Sequence, residues 1–254
     1  MNIKGVVTVQ VKRNDIIEIT LENLAYGGDC VGHLDDGLAI FVKRGVPGDK
    51  VKAKITEVKR NFAKAEIIKV LRPASERIKP ACEVYENCGG CQLQQLNYEA
   101  QLVHKQKIVE DALQRIGDFN NIKVNQVQGH QDYPWEYRNK AQFPFTKDSE
   151  GEIKTGFFSR GTHNVVTTEN CLIQHPLVNR IVREVLEILN QYQLTVYDEK
   201  KHQGLLRHLL VRVGTCTNQA LVTLVTRTSN FSHKHEIAEK LFEKIPELIG
   251  FLQN

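Results

Sequence analysis

Residues 49–71 read "DKVKAKITEVKRNFAKAEIIKVL". Lys50, Lys52 and Lys54 alternate with Val51, Ala53 and Ile55, so an extended chain would be cationic on one side and apolar on the other. Working outward, "DIIEITLENL" carries the same period in Ile17, Ile19 and Leu21. "DDG", Asp35 to Gly37, precedes the apolar run "LAIFV" and predicts a hairpin. "VPGDK" predicts a turn around Pro47 and Gly48. Four or five short strands with tight turns and no helical period predict a small β-barrel over residues 1–72. Its lysine stripe, extended by Lys59, Arg60 and Lys64, has two readings. It can follow a phosphate backbone, or it can be a solvated face that guards a sheet edge.

A linker, "PASERIKP", lies between Pro73 and Pro80 and leads into "ACEVYENCGGCQLQQL", residues 81–96. Cys82, Cys88 and Cys91 form a C-x5-C-x2-C pattern, and Gly89-Gly90 lets the backbone fold closely around a bulky centre. Zinc and iron–sulfur clusters both accept four thiolates. The pattern supplies three, so a remote ligand is needed, and Cys171 in "TTENCLIQHP" is the candidate. His104 and His175 are other possible zinc ligands, although lone histidines near helices are more often ordinary surface groups. Cys30 and Cys216 are expected in a barrel turn and a hairpin, outside any metal site.

Downstream, a helix is predicted from Tyr98 to Ile116, with Asn97 as N-cap and Gly117 at the C-terminal end. "YRNKAQFPF" and "EIKTGFFS" flank a turn and predict an antiparallel pair. "HPLVNRIVREVLEILNQY" is an amphipathic helix, and "LLRHLLVRVG" pairs with "QALVTLVT". "SHKHEIAEKLFEKI" predicts a third helix capped by Ser232, after which "PELIGFLQN" reads as the start of another strand. Arg138, Lys140, Arg160 and His163 lie among aromatic residues. That interleaving suits base stacking and phosphate contact, while Phe143, Phe145, Phe157 and Phe158 also suit a core.

The chain has 254 residues, 34 basic and 30 acidic, for a formal charge of +4. So small an excess does not by itself imply nucleic acid. No apolar run approaches the ~20 residues that span a bilayer. "MNIKGVVTVQVKRND" lacks the features of a signal peptide. A cytoplasmic protein with reduced thiols is therefore expected, with no membrane partner. There is no P-loop and no dinucleotide fingerprint after a strand.

Taken in order, "GDCVGHLDDGLAIFVKRGVPGDKVKAKI", "CGGCQLQQL", "YRNKAQFP", "GFF", "C-L-I" and "GLLRHLLVR" resemble the RNA uracil-C5 methyltransferases that carry a TRAM domain and a [4Fe-4S] cluster. Within them, the likeness is to the branch acting on large-subunit (23S) ribosomal RNA. The resemblance implies an α+β fold: an OB-like TRAM barrel (residues 1–72), an iron–sulfur segment (73–95) and a mixed central domain (96–254). It implies that Cys82, Cys88, Cys91 and Cys171 hold the cluster. Structured RNA is the implied partner, and Lys50, Lys52, Lys54, Arg138, Lys140 and Arg160 are its candidate contacts.

In such enzymes a uridine is flipped from its stack and a cysteine thiolate adds to C6. S-adenosylmethionine then methylates C5, and a base removes the C5 proton. The resemblance places S-adenosylmethionine, the nucleophile and the base in a Rossmann-like C-terminal domain that this chain is expected to lack. No catalytic or cofactor-binding residue is therefore assigned here, and the chain alone is expected to be inactive without that half as a partner. Competing readings are a stand-alone RNA-binding protein with a structural metal site, a radical enzyme and a zinc ribbon. The x5 spacing and the early position of the barrel count against the radical enzyme.

Overall fold

The computed structural model describes residues 11–130 and 134–254. The first ten residues of the expected barrel therefore lie outside the described part. The chain divides into two compact units, one of residues 1–81 and 91–130, the other of residues 82–90 and 131–254.

The first unit is built on six strands: β1 (Ile16–Thr20), β2 (Asn23–Leu24), β3 (Cys30–His33), β4 (Ala39–Lys43), β5 (Lys50–Val58) and β6 (Phe62–Arg72). Their hydrogen-bonded order is β1-β5-β6-β4-β3-β2. The two ends of that order, β1 and β2, are separated in the chain only by Leu21 and Glu22. Leu21 donates its N–H to Asp49 and Glu22 donates to Val31, so this one stretch is hydrogen-bonded on both sides. Alternation along β5 buries Val51, Ala53 and Ile55 completely and leaves Lys50, Lys52 and Lys54 exposed. The interior also holds Ile40, Val42, Ala63 and Cys30.

Helix α1 (Tyr98–Arg115) belongs to this unit, and the Asn97 side chain accepts the N–H of Ala100 as its cap. Leu96 and Ala100 join the barrel core, with Ile108 packed against it. At the other end of the helix, the left-handed residue is Asp118, at φ 56°, rather than Gly117.

A buried ion pair fastens the linker. Asp49 has no solvent exposure and accepts the N–H groups of Val46 and Ala74. The Arg77 guanidinium reaches it through Nε and Nη2, the latter at 2.7 Å, and Nη2 also donates to the Arg44 carbonyl.

The second unit carries β7 (Lys140–Lys147), β8 (Ile153–Phe158), β9 (Val165–Thr167), β10 (Leu206–Gly214), β11 (Gln219–Thr226) and β12 (Leu248–Gln253). Their order is β12-β11-β10-β7-β8-β9. Helices α2 (Pro176–Leu189) and α3 (Lys234–Lys244) supply Ile181, Val185, Ile237 and Leu241 to a core with Phe143, Leu209, Val211 and Val222. Ser232 is not the cap of α3. His233 takes that position in a left-handed conformation, φ 65°, and makes no capping bond with its side chain.

The expected fold class needs correction. Each unit carries a mixed six-stranded sheet that includes a parallel pair, a feature the expected fold class did not contain. β6 inserts between β5 and β4 and runs parallel to β4. α3 returns the chain so that β12 runs parallel to β11. Hydrophobic alternation reports which face of a strand is buried and carries no information on strand direction, so both parallel pairs were invisible to it. The β5 and β6 strands, of 9 and 11 residues, are also longer than the short strands expected.

Candidate nucleic-acid interface and cysteine loop

Neighbouring strands partly answer the lysine stripe on β5. Glu18 on β1 lies opposite Lys52, and its carboxylate is 3.5 Å from the Lys50 ammonium. Glu66 on β6 lies opposite Lys54 and is itself paired with Lys43. Lys59 and Lys64, which the sequence reading added to the stripe, both pair with Glu57. Those two ammonium groups hold the exposed Glu57 carboxyl down to about 2. The face remains cationic at Lys52, which meets Lys69 across β6.

In the second unit, Arg138, Lys140 and Arg160 are all exposed. The backbone of Arg138 is fixed by the segment that follows Cys171. Arg138 donates its N–H to Ile173 at 2.8 Å, and His175 donates to the Arg138 carbonyl at 2.7 Å. Arg160 lies in the tight connection between β8 and β9, where Ser159 donates to Asn164 and the His163 ring meets Phe158 edge-on at 5.4 Å. Phe143 and Phe145 belong to the core, Phe157 packs against it, and Phe158 is exposed. Strand alternation thus divides the aromatic run between the core and the surface.

The cysteine loop is bonded to that same β8–β9 connection. Gly89 donates its N–H to the Phe158 carbonyl at 2.9 Å, and Cys88 bridges Ser159. A Cβ at Gly89 would lie 2.6 Å from that carbonyl oxygen and 2.9 Å from the Arg160 nitrogen, so the approach requires glycine. Gly90 donates its N–H to the Cys88 sulfur at 3.3 Å. Cys171 is held by Asn179 of α2, whose side-chain oxygen accepts the Cys171 N–H and whose amide donates to the Cys171 carbonyl. Cys82, Cys88 and Cys171 fall in the second unit, and Cys91 falls in the first.

Among the described residues, no three His, Cys, Asp or Glu side chains are grouped so that one metal ion could hold them. The two histidines considered as ligands are engaged elsewhere. His175 caps α2 by accepting the Leu177 N–H, and His104 lies 2.8 Å from Glu76. Cys30 opens β3 and is wholly buried rather than lying in a turn. Burial, reinforced by the Asp49 carboxylate, pushes its thiol far up, so it is inert. Cys216 is exposed between β10 and β11. No sequence signal marked the Asp49–Arg77 clamp, the Asn179 anchor or Arg212 of β10, which lies directly opposite Lys140.

Residues 10–68 match the TRAM domain family. The chain is related to RNA methyltransferases. A protein of Halalkalibacterium halodurans named as an uncharacterized RNA methyltransferase is 36% identical over 244 residues, 96% of this chain and 53% of that protein. A Bacillus cereus protein of the same description is 39% identical over 97% of this chain and 53% of its own length. The chain therefore spans about half the length of the curated relatives it matches.

A solved structure also matches, the Pyrococcus abyssi tRNA (uracil-54, C5)-methyltransferase in complex with S-adenosyl-L-homocysteine. It is 26% identical, with a TM-score of 0.61, over 87% of this chain and 48% of that one. This likeness completes the correction of the fold class. The chain includes a methyltransferase-like fold with two mixed sheets, so the expectation that it stands apart from the methyltransferase fold is overturned. No helix is long and apolar enough to cross a membrane among the described residues.

Proposed function

We propose that this chain is the RNA-recognition and [4Fe-4S]-bearing portion of an S-adenosylmethionine-dependent RNA uracil-C5 methyltransferase acting on large-subunit ribosomal RNA. The observation that carries this is relatedness to proteins named RNA methyltransferases over 96% of the chain, with a TRAM match at residues 10–68. The RNA is held on the TRAM side by Lys50, Lys52 and Lys54 and in the second unit by Arg138, Lys140 and Arg160. These exposed cations contact phosphates, while the unstacked bases find aromatic partners such as Phe158. S-adenosylmethionine supplies the methyl group. The reading extends to a cytoplasmic enzyme with residues 1–72, 73–95 and 96–254 as its functional divisions.

Cys82, Cys88, Cys91 and Cys171 hold the cluster. What supports a cluster there is local: Gly89 lets the loop close against the β8–β9 connection, the Gly90 N–H is directed at the Cys88 sulfur, and Asn179 fixes the Cys171 backbone. A cluster bound there would tie the cysteine loop, which meets the connection carrying Arg160, to the Cys171 segment, which fixes the Arg138 backbone.

Transfer RNA is the second reading, favoured by the likeness to the Pyrococcus abyssi enzyme, whose substrate is tRNA uracil-54. Deleting the encoding gene and mapping 5-methyluridine by mass spectrometry separates the two. Loss from 23S ribosomal RNA is expected. Loss from transfer RNA alone would establish the second reading, and no loss from either would overturn both.

A further inference from the structure

We infer that Arg212 and Lys140 form a two-cation RNA backbone site on the face of the second sheet opposite its helices. This rests on the RNA-binding reading above and extends it to a residue that neither the sequence nor the relatives point to. The helices α2 and α3 share a core with Leu209, Val211 and Val213 of β10. Alternation turns Leu210 and Arg212 to the other side. Arg212 lies opposite Lys140 on β7 and opposite Leu221 on β11.

Two features single out this pair. Like charges placed directly opposite across a sheet destabilise it, because their Cβ atoms sit ~4.5–5.5 Å apart. Neither Arg212 nor Lys140 has an ion-pair partner among the described residues, unlike Lys50 on β5, Lys59 in the turn after it and Lys64 on β6. The strand residues on this face include Gln142, Pro144 and Lys154, then Leu210, Leu221, Thr223 and Leu252. None is a carboxylate, and Asp148 in the β7–β8 turn pairs with Lys154. A sheet that sets two unneutralised cations side by side is complementary to a polyanion. Arg212 presents a planar fork that can bind a phosphate through two N–H groups, with Lys140 as a point charge beside it. Arg138, two residues before Lys140, extends the positive edge.

The test is fluorescence-anisotropy binding of the purified chain to a labelled 23S ribosomal RNA fragment at several salt concentrations. Arg212→Gln is expected to weaken binding and to lower the slope of log K against log salt by ~0.7–0.9. Arg212→Lys should restore the slope but not the full affinity. Relief of the like-charge pair should raise the thermal midpoint of Arg212→Gln by ~1–3 °C. Tight RNA binding with affinity and slope unchanged in Arg212→Gln would overturn the inference while leaving the RNA-binding reading intact. A failure of the parent chain to bind any RNA would overturn that reading instead. A lowered midpoint would show that Arg212 serves the fold. Loss confined to phosphatidylserine vesicles, with RNA binding untouched, would also overturn the assignment.

Discussion

Arg77 faces a carboxylate that has no contact with solvent, while its own side chain is 19% exposed. Replacing it with methionine leaves Asp49 charged, buried and deprived of its strongest donor. Such a loss costs ~3 kcal/mol, the lower end of the range for broken buried pairs because Arg77 is partly solvated. A urea titration of Arg77→Met should therefore show a large drop in midpoint at unchanged m-value. A midpoint shift smaller than that of a surface substitution would show that the clamp contributes little. Sequence reading placed Arg77 in a linker, because its partner lies 28 residues away and spacing carries no through-space information. Gly89 was legible as a close approach but not as an approach to Phe158. Gly89→Ala should release the loop and speed amide exchange at residue 89 by tenfold or more. Unchanged exchange would mean that the backbone around Phe158 adapts.

Strands announced themselves where one face is buried and the other wet, as in β5, β7 and β10. Their direction and the cap of α3 did not, because the first depends on which strand lies alongside and the second on a left-handed turn at His233. The lysine face of β5 was legible as a stripe, but its counter-charges on β1 and β6 were not. Replacing Lys50, Lys52 and Lys54 together by alanine should lower the salt slope of RNA binding by ~2–3 if all three meet phosphates. An unchanged slope would return the stripe to the role of a solvated face.

On β10, desolvation and the neighbouring Arg207 lower the pKa of His208. The fold therefore favours the neutral ring. That contribution is complete above the unfolded value of ~6.5 and is lost as pH falls through the lower folded value. Stability should decline across that acidic interval, and His208→Gln should flatten the decline in denaturant titrations. An identical pH profile in the variant would remove His208 as its cause.

For the molecule as a whole, the cysteines supply the sharpest check on the proposed cluster. Their types and spacing were readable, whereas the Asn179 and Phe158 supports depend on residues far off in sequence. Anaerobically purified protein should show broad visible absorbance and about four irons per chain. Cys171→Ala should lose most of that iron, and Cys216→Ala should keep it. The reverse result would overturn the ligand assignment.

The division of the chain into units has its own bearing on inheritance. The polypeptide passes from one unit to the other at residues 81–82, 90–91 and 130–131, and the barrel core takes Leu96 and Ala100 from beyond the cysteine loop. A gene rearrangement that breaks near residue 72 would carry off the six strands and leave behind the helix that seals their interior. Fusions that keep the first unit whole must also carry the cysteine loop, which lies between its two sequence segments, so barrel and loop would tend to travel together through recombination.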